Sequence, residues 1–281
     1  MYNNSIYVIG LMSGTSLDGV DICLVSFNKS DYRNYSILHA KTYNYNKIWI
    51  KRLKEAVLLN NKQLDQLDNN YGKLLSDYVK QFINEFNISK VDLISSHGHT
   101  IFHQPNKGIT LQIGDGKTIN NNTQIDVVSD FRTQDIEYKG EGAPLVPIGD
   151  LNLFYKYKYC LNLGGFSNIS IKDKKKIKAF DICPVNTVLN HYSNKLGYAF
   201  DKDGFLSKKG GINTNLLRKL NDMSFYNKLG PKSLGIEFVL SKVIPLIDKY
   251  IINPEEHLII IICQEWLGHQ ILDVIASRIK I

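Results

Sequence analysis

Two apolar runs near the start of the chain, residues 5–11 (SIYVIGL) and 20–27 (VDICLVSF), flank a polar turn containing glycine. Each run is short, rich in β-branched residues and bounded by turn formers, which predicts the two strands of a hairpin. The turn is the constraint. It carries Gly14 and Gly19, the hydroxyls of Ser13, Thr15 and Ser16, and the carboxylate of Asp18. Glycines let backbone N–H groups approach an anion closely, and the hydroxyls add donors. Asp18 is a candidate Mg²⁺ ligand, because that ion takes a few carboxylates together with phosphate oxygens. A tight turn alone explains the glycines but not the hydroxyl run followed by an acid.

The strategy recurs without a charge at 158–171 (KYCLNLGGFSNISI), a second hairpin centred on Gly164 and Gly165. Two such turns facing each other would grip a nucleotide's phosphates from both sides. The run 177–181 (IKAFD) then reads as a strand ending at Asp181, with a helix over about 185–197. A carboxylate in that place is ordinarily a helix N-cap. After a glycine hairpin it is also a candidate general base, able to take a proton from water beside a sugar.

Elsewhere helices alternate with short strands. Residues 48–58 read as an amphipathic helix, and Leu64, Leu67, Tyr71, Leu74, Leu75, Tyr78, Val79, Phe82, Ile83 and Phe86 keep the three-four spacing of a long one. Strands are predicted at 91–96, 110–114 and 124–129, and further helices at 214–221, 236–250 and 254–279. The fold class that follows is α/β. The strand pattern gives way to a polar, glycine-bearing segment between 131 and 142, so the domains are placed at 1–132 and 133–281.

Two further clusters carry chemistry. Ser96-His97-Gly98-His99-Thr100, with His103, offers imidazoles two apart, which on a regular strand face the same way. A metal pair there lacks a carboxylate or cysteine at ligand spacing, so hydrogen bonding to substrate or loop backbone is the favoured reading. Ser129-Asp130-Phe131-Arg132 precedes Gly140-Glu141-Gly142-Ala143-Pro144. Arg132 either pairs with a substrate carboxylate in bidentate geometry or forms a structural Arg–Asp bridge.

Composition excludes other classes. The net charge is +7, yet the lysines are dispersed, and the one dense run, Lys172 to Lys178, falls where a hairpin turn is expected. That is a solvated surface rather than a nucleic-acid footprint. Cys23, Cys160, Cys183 and Cys263 show no zinc spacing and no disulfide framework, which fits a reducing, cytoplasmic setting. The start of the chain shows no basic region leading into an apolar stretch, and the run 258–263 is far too short to span a bilayer. No signal peptide and no membrane partner are expected.

In order along the chain, GLMSGTSLDGVD at 10–21, SSHGHTIFHQP at 95–105, TLQIGDG at 110–116, VVSDFRTQDI at 127–136, EGAPLVP at 141–147, LNLGGFSNIS at 161–170 and PKSLG at 231–235 resemble the anhydro-N-acetylmuramic acid kinase family. The resemblance covers residues 5 to about 250. It implies a two-lobed, actin-like ATPase (ribonuclease H-like) architecture that binds ATP with Mg²⁺ between lobes able to close. It further implies a kinase that hydrolytically opens 1,6-anhydro-N-acetylmuramic acid and phosphorylates O6, giving N-acetylmuramic acid 6-phosphate in peptidoglycan recycling. Carried over by residue, Gly14, Thr15, Ser16, Leu17, Asp18, Gly19, Val20 and Asp21 match the phosphate-binding stretch, joined by Gly164 and Gly165. Asp181 matches the general base, and His97, His99, Thr100, Asp130 and Arg132 are candidate substrate contacts. Around the base this chain has Asp181-Ile182-Cys183-Pro184-Val185-Asn186, where many members have Asp-Thr-Gly-Pro-Gly-Asn. Members continue beyond the position of Ile281 with a strand, a TGGG-type loop and helices, so the second lobe is expected to be incomplete. Two readings follow: an active kinase whose remaining part is dispensable or supplied by the partner in a homodimer, or a truncated, inactive remnant or sugar-binding pseudoenzyme.

Overall fold

The first hairpin forms as expected, from β1 (Ser5–Ser13) and β2 (Gly19–Asn28), in register from Ser5 opposite Asn28 to Met12 opposite Asp21. This computed structural model describes residues 4–14, 17, 19–173, 176–228 and 232–250. Thr15, Ser16 and Asp18 lie outside the described residues, as do the helix expected over 254–279 and the run 258–263.

The first unit, Met1–Ile148, is built on one mixed sheet. β2 continues antiparallel into β3 (Asp31–Asn44), an edge strand that the sequence pattern does not disclose because most of its side chains are exposed. After α1 (Lys47–Glu55) comes α2 (Asn61–Glu85), which starts with a capping box between Asn60 and Gln63. Its predicted stripe buries Leu64, Leu67, Tyr71, Leu75, Val79 and Phe82. With Ile9, Leu11, Ile22, Leu24, Ile94 and Ile113 of the sheet, most of that stripe forms the core. The chain returns as β4 (Leu93–Gln104), parallel to β1, and folds back antiparallel as β5 (Ile109–Ile113). Next come α3 (Gly116–Thr123), β6 (Val127–Val128), which pairs parallel to β4, and α4 (Thr133–Glu137). The path β3-β2-β1-β4-β6, with β2 running against the other four, matches the expected ribonuclease H-like sheet.

The second unit is Gly149–Ile281, so the division falls within α5 (Leu145–Leu153), whereas the sequence reading placed it at 132/133. Its sheet is the antiparallel meander β7 (Tyr159–Leu163), β8 (Phe166–Asp173) and β9 (Lys176–Pro184). Ile169 and Ile182 pack with α6 (Asn186–Lys195) and α7 (Thr214–Asn221). They also meet a helical segment running from α8 (Ile236–Phe238) through a π turn at Val239–Val243 into α9 (Ile244–Asp248). Two expectations need correction. β9 continues past Asp181 to Pro184, so Asp181 lies inside a strand rather than at its end. Lys172 belongs to no solvated run: it is 8% exposed, and its ammonium donates to the carbonyls of Asp150 (2.8 Å) and Phe154 (2.6 Å) at the end of α5. Partial negative charge at a helix C-terminus is what makes a buried lysine tolerable there.

Candidate functional site

The β1–β2 turn is pinned on both flanks. On one side Ser13, the last residue of β1, is buried, and its hydroxyl meets the Tyr45 hydroxyl at 2.7 Å and His99 Nδ1 at 2.9 Å. On the other, Gly19 lies so close to β3 that a Cβ would collide with the Tyr43 carbonyl oxygen. Between the flanks, the Leu17 N–H donates to the Gly14 carbonyl at 3.4 Å, and Leu17 takes a left-handed φ of 60°. Val20 is fully buried in the core, whereas Asp21 is exposed, with its Oδ1 accepting from the Thr42 hydroxyl at 2.5 Å.

Asp21 stands on an open cleft of ≈ 670 Å³ across the sheet face opposite α2. One cross-strand row, Ala40, Cys23, Gly10 and Ser95, floors it with small side chains. His97, Phe131 and Leu145 also line it. A Cβ on Gly10 would meet the Cys23 sulfur at 3.3 Å, so the glycine keeps this floor flat.

His97 and His99 do not face the same way, contrary to the regular-strand expectation. Gly98 adopts φ +72°, and β4 gains one residue on β1 there, from Ser96 opposite Leu11 to His99 opposite Ser13. The irregularity adds a half-step of side-chain alternation. His97 therefore looks onto the cleft, and His99 looks into the core, edge-on to Tyr71. Burial, and then the neighbouring His97, pushes the pKa of His99 down to about 4. Burial, and then the charge of Arg132, also lowers that of His97. Both imidazoles are neutral at pH 7. Thr100 accepts a long bond of 3.4 Å from Gln112, and His103 meets the Thr110 hydroxyl at 3.3 Å.

Arg132 makes no bridge to Asp130. Its Nε and Nη2 donate to Nε2 of His97 at 3.0 and 2.9 Å, and Nη1 donates to the Gly142 carbonyl at 3.1 Å. Asp130, with φ 56°, instead accepts from the hydroxyl and N–H of Thr133 at the start of α4. Asp135 closes the same segment by accepting from the Gly142 N–H at 2.7 Å.

In the second unit the glycine turn is locked to α6 through its carbonyls. The N–H groups of Val185 (2.8 Å) and Thr187 (3.1 Å) and the Thr187 hydroxyl (2.7 Å) donate to the Gly165 carbonyl, and the Asn186 N–H donates to that of Gly164 (3.3 Å). The first-turn N–H groups of α6, which could otherwise bind an anion, are thereby taken up. An anion at this turn would meet glycine backbone without the helix N-terminus. Asp181 is not the cap of α6, whose cap residue is Val185. It is held by the segment 232–234: its N–H donates to the Lys232 carbonyl at 2.8 Å, and its Oδ2 accepts from the Leu234 N–H at 2.7 Å. Beside it, burial drives the Cys183 thiol up to about 12, so that cysteine is a neutral packing group.

Tyr45, the buried side chain that holds Ser13 beneath the turn, is the one that sequence reasoning missed, and Tyr71 was visible only as one member of the α2 stripe. Their partner Ser13 lies 32 residues before Tyr45, and no local pattern connects them.

A sheet of this strand order and direction, with a hydroxyl- and glycine-bearing turn after its first strand, defines a ribonuclease H-like α/β protein. The family model for anhydro-N-acetylmuramic acid kinase matches residues 6–251, and the chain belongs to that family. The anhydro-N-acetylmuramic acid kinase of Pasteurella multocida (strain Pm70) is 37% identical over 249 residues, covering 84% of this chain and 65% of that protein. The one from Shewanella pealeana (strain ATCC 700345 / ANG-SQ1) is 36% identical over 247 residues, with 83% and 66% covered. The chain thus spans just under two thirds of the length of these relatives. A solved structure, the ethanolamine utilization protein EutJ from Carboxydothermus hydrogenoformans, is similar at a TM-score of 0.33 and 14% identity over 87% of this chain and 68% of that one. That likeness is too remote to bear on the site. No helix among the described residues is long and apolar enough to cross a membrane.

Proposed function

We propose that this chain carries the machinery of an ATP-dependent kinase acting on 1,6-anhydro-N-acetylmuramic acid. The observation that carries the reading is the family match over 6–251, which runs through both glycine turns and through Asp181. In the reaction, Asp181 takes a proton from water, and the water oxygen bonds to the anomeric carbon. The C1–O6 bond breaks, O6 takes the γ-phosphoryl group, and ADP leaves with N-acetylmuramic acid 6-phosphate. The Leu234 N–H bond to Oδ2 supports this role by orienting the carboxylate.

The turn at Gly14 to Asp21, with Gly164 and Gly165, supplies backbone donors to the phosphates. Phosphoryl transfer needs mainly such positioning and charge neutralisation. Mg²⁺ is held in such sites by phosphate oxygens and one or two carboxylates rather than by a protein cage. Asp18 and the exposed Asp21 are hard-oxygen donors of that kind, so the residues fit the ion, which when bound neutralises phosphate charge. His97, Arg132 and the small-residue floor of the cleft are assigned to the sugar, His99 to the support of the turn, and cytoplasmic recycling of cell-wall sugar is the setting.

The test is ATP- and Mg²⁺-dependent phosphorylation of 1,6-anhydro-N-acetylmuramic acid by the purified chain, with Asp181→Asn alongside. Turnover that falls at least about 100-fold in the variant supports the assignment. A folded, monodisperse chain that turns over no substrate overturns it.

A further inference from the structure

Asp181 is fixed through its backbone and through its carboxylate. Along β8, Ser167 lies opposite Cys183 and Asn168 opposite Asp181, so Ile182 is an extra residue in β9 immediately after Asp181. Such a bulge changes which way the neighbouring side chains point. Ile182 and Cys183 accordingly both enter the core. β9 is an outer strand of the meander, and the segment 232–234 meets it there. The Asp181 N–H donates to the Lys232 carbonyl at 2.8 Å, and the Leu234 N–H donates to Oδ2 at 2.7 Å.

The segment that holds Asp181 is itself anchored by a side chain. The Lys232 ammonium reaches back to the Phe225 carbonyl, to which it donates at 3.2 Å. It lies 4.5 Å from the centroid of the Phe225 ring and 5.8 Å from that of Tyr226. The attraction of a cation for an aromatic face adds to the hydrogen bond. Phe225 is a firm base for this contact. It is buried, its ring meets that of Phe238 in α8 at 5.6 Å, and its carbonyl also takes the Lys228 N–H at 3.2 Å. Lys232 thus has its carbonyl on Asp181 and its ammonium on the packed turn at 225–226.

We infer that Lys232 is a positioning residue for Asp181: it anchors the segment 232–234, and through the Leu234 N–H that segment sets the direction of the carboxylate. A general base works only within hydrogen-bond reach of the water it deprotonates, and a misplacement of about 1 Å can cost about 100-fold in rate. Lys232 acts through the backbone and needs no contact with substrate. The run PKSLG, which holds both Lys232 and Leu234, gains a role in this way. The catalytic part of this inference rests on the kinase reading, and the anchoring part does not.

The experiment compares Lys232→Met and Lys232→Arg with Lys195→Met. Lys195 is the control because it pairs with Asp248 at 3.3 Å and lies over the Tyr192 ring at 4.9 Å, in the same unit. In the first arm, steady-state kinetics follow phosphorylation of 1,6-anhydro-N-acetylmuramic acid. Lys232→Met should lower kcat by about tenfold or more with KM within about twofold. Lys232→Arg keeps the charge, the donor and the ring contact and should recover most of that loss, and Lys195→Met should match wild type. An unchanged kcat in Lys232→Met, a rise in KM alone, or an arginine variant as slow as the methionine one overturns the positioning role and leaves the kinase reading standing. In the second arm, amide exchange at Leu234 is read by NMR without substrate. Protection should fall about tenfold in Lys232→Met and stay within about twofold in Lys195→Met. Equal protection in Lys232→Met and wild type overturns the anchor. Where Lys232→Met does not fold, Lys232→Gln, which also loses the charge, takes its place in both arms. A wild-type chain that turns over no substrate removes the kinase reading and the catalytic part together, and the exchange arm then decides the anchor.

Discussion

A single nitrogen of His97, Nε2, accepts two hydrogen bonds from the guanidinium of Arg132, which lies 35 residues further along the chain. The same guanidinium holds the Gly142 carbonyl, so one side chain ties β4 to the segment that follows α4. A lysine ammonium has no planar fork and cannot reproduce that pattern. Arg132→Lys should lower stability by about 2 kcal/mol, read from urea unfolding. Amide exchange over 132–142 should quicken at the same time. Unchanged exchange in that segment would show that other contacts hold it.

The neutrality of His99 makes stability depend on pH in a definite direction. Its pKa falls from 6.5 to about 4 on folding, so as pH drops the unfolded state takes up the proton first. The contribution is complete above pH 6.5 and is lost progressively down to about 4, for a total of about 3 kcal/mol. His97 is shifted the same way by burial and by Arg132, and it adds to the slope. Between pH 7.5 and 5, wild type should lose about 2 kcal/mol more than His99→Gln in urea unfolding. Equal slopes for the two proteins would mean that His99 titrates normally.

What was legible in the sequence was what local chemistry dictates. Apolar runs around glycine turns disclosed both hairpins, and the three-four stripe disclosed α2. The α/β class followed from strands alternating with helices. β3 was hidden because most of its residues, such as Tyr32, Ile37 and Leu38, are exposed; its pairing with β2 is a matter of register rather than of pattern. Lys172 looked like one of a solvated run because its partners, the last carbonyls of α5, lie 18 to 22 residues earlier. At the site, residue identities were readable and geometry was not. Asp181 and Leu234 are 53 residues apart, and the bulge at Gly98 reversed the face expected of His99.

That bulge leads to a third prediction. Gly98 has φ +72°, and a Cβ there would sit 2.5 Å from the Ile113 carbonyl oxygen. A side chain at this position meets both left-handed strain and a backbone clash. Gly98→Ala should cost about 3 kcal/mol or more in unfolding free energy. Whatever folds should show a shifted His99 imidazole resonance, because regular alternation would turn that ring towards the cleft. A stable variant with wild-type histidine spectra would mean that the strand absorbs the Cβ without changing its faces.

The lock between the second glycine turn and α6 can be tested as a coupled pair. A Cβ on Gly165 would lie 3.0 Å from Oγ1 of Thr187, and that hydroxyl itself donates to the Gly165 carbonyl at 2.7 Å. Gly165→Ala forces the hydroxyl away and should cost about 1–3 kcal/mol. Thr187→Ala removes the hydroxyl bond to the Gly165 carbonyl and should cost about 1 kcal/mol. In the double variant the new methyl group enters the space that the hydroxyl leaves, so the two losses should not add. The shortfall should be about 1 kcal/mol, a size seen for residues in direct contact. Additive losses would mean that the added methyl group fits without moving Thr187. Glycine at this position would then be required by the approach of a ligand to the turn rather than by the approach of the helix, and Mg·ATP affinity in Gly165→Ala would fall further than its stability does.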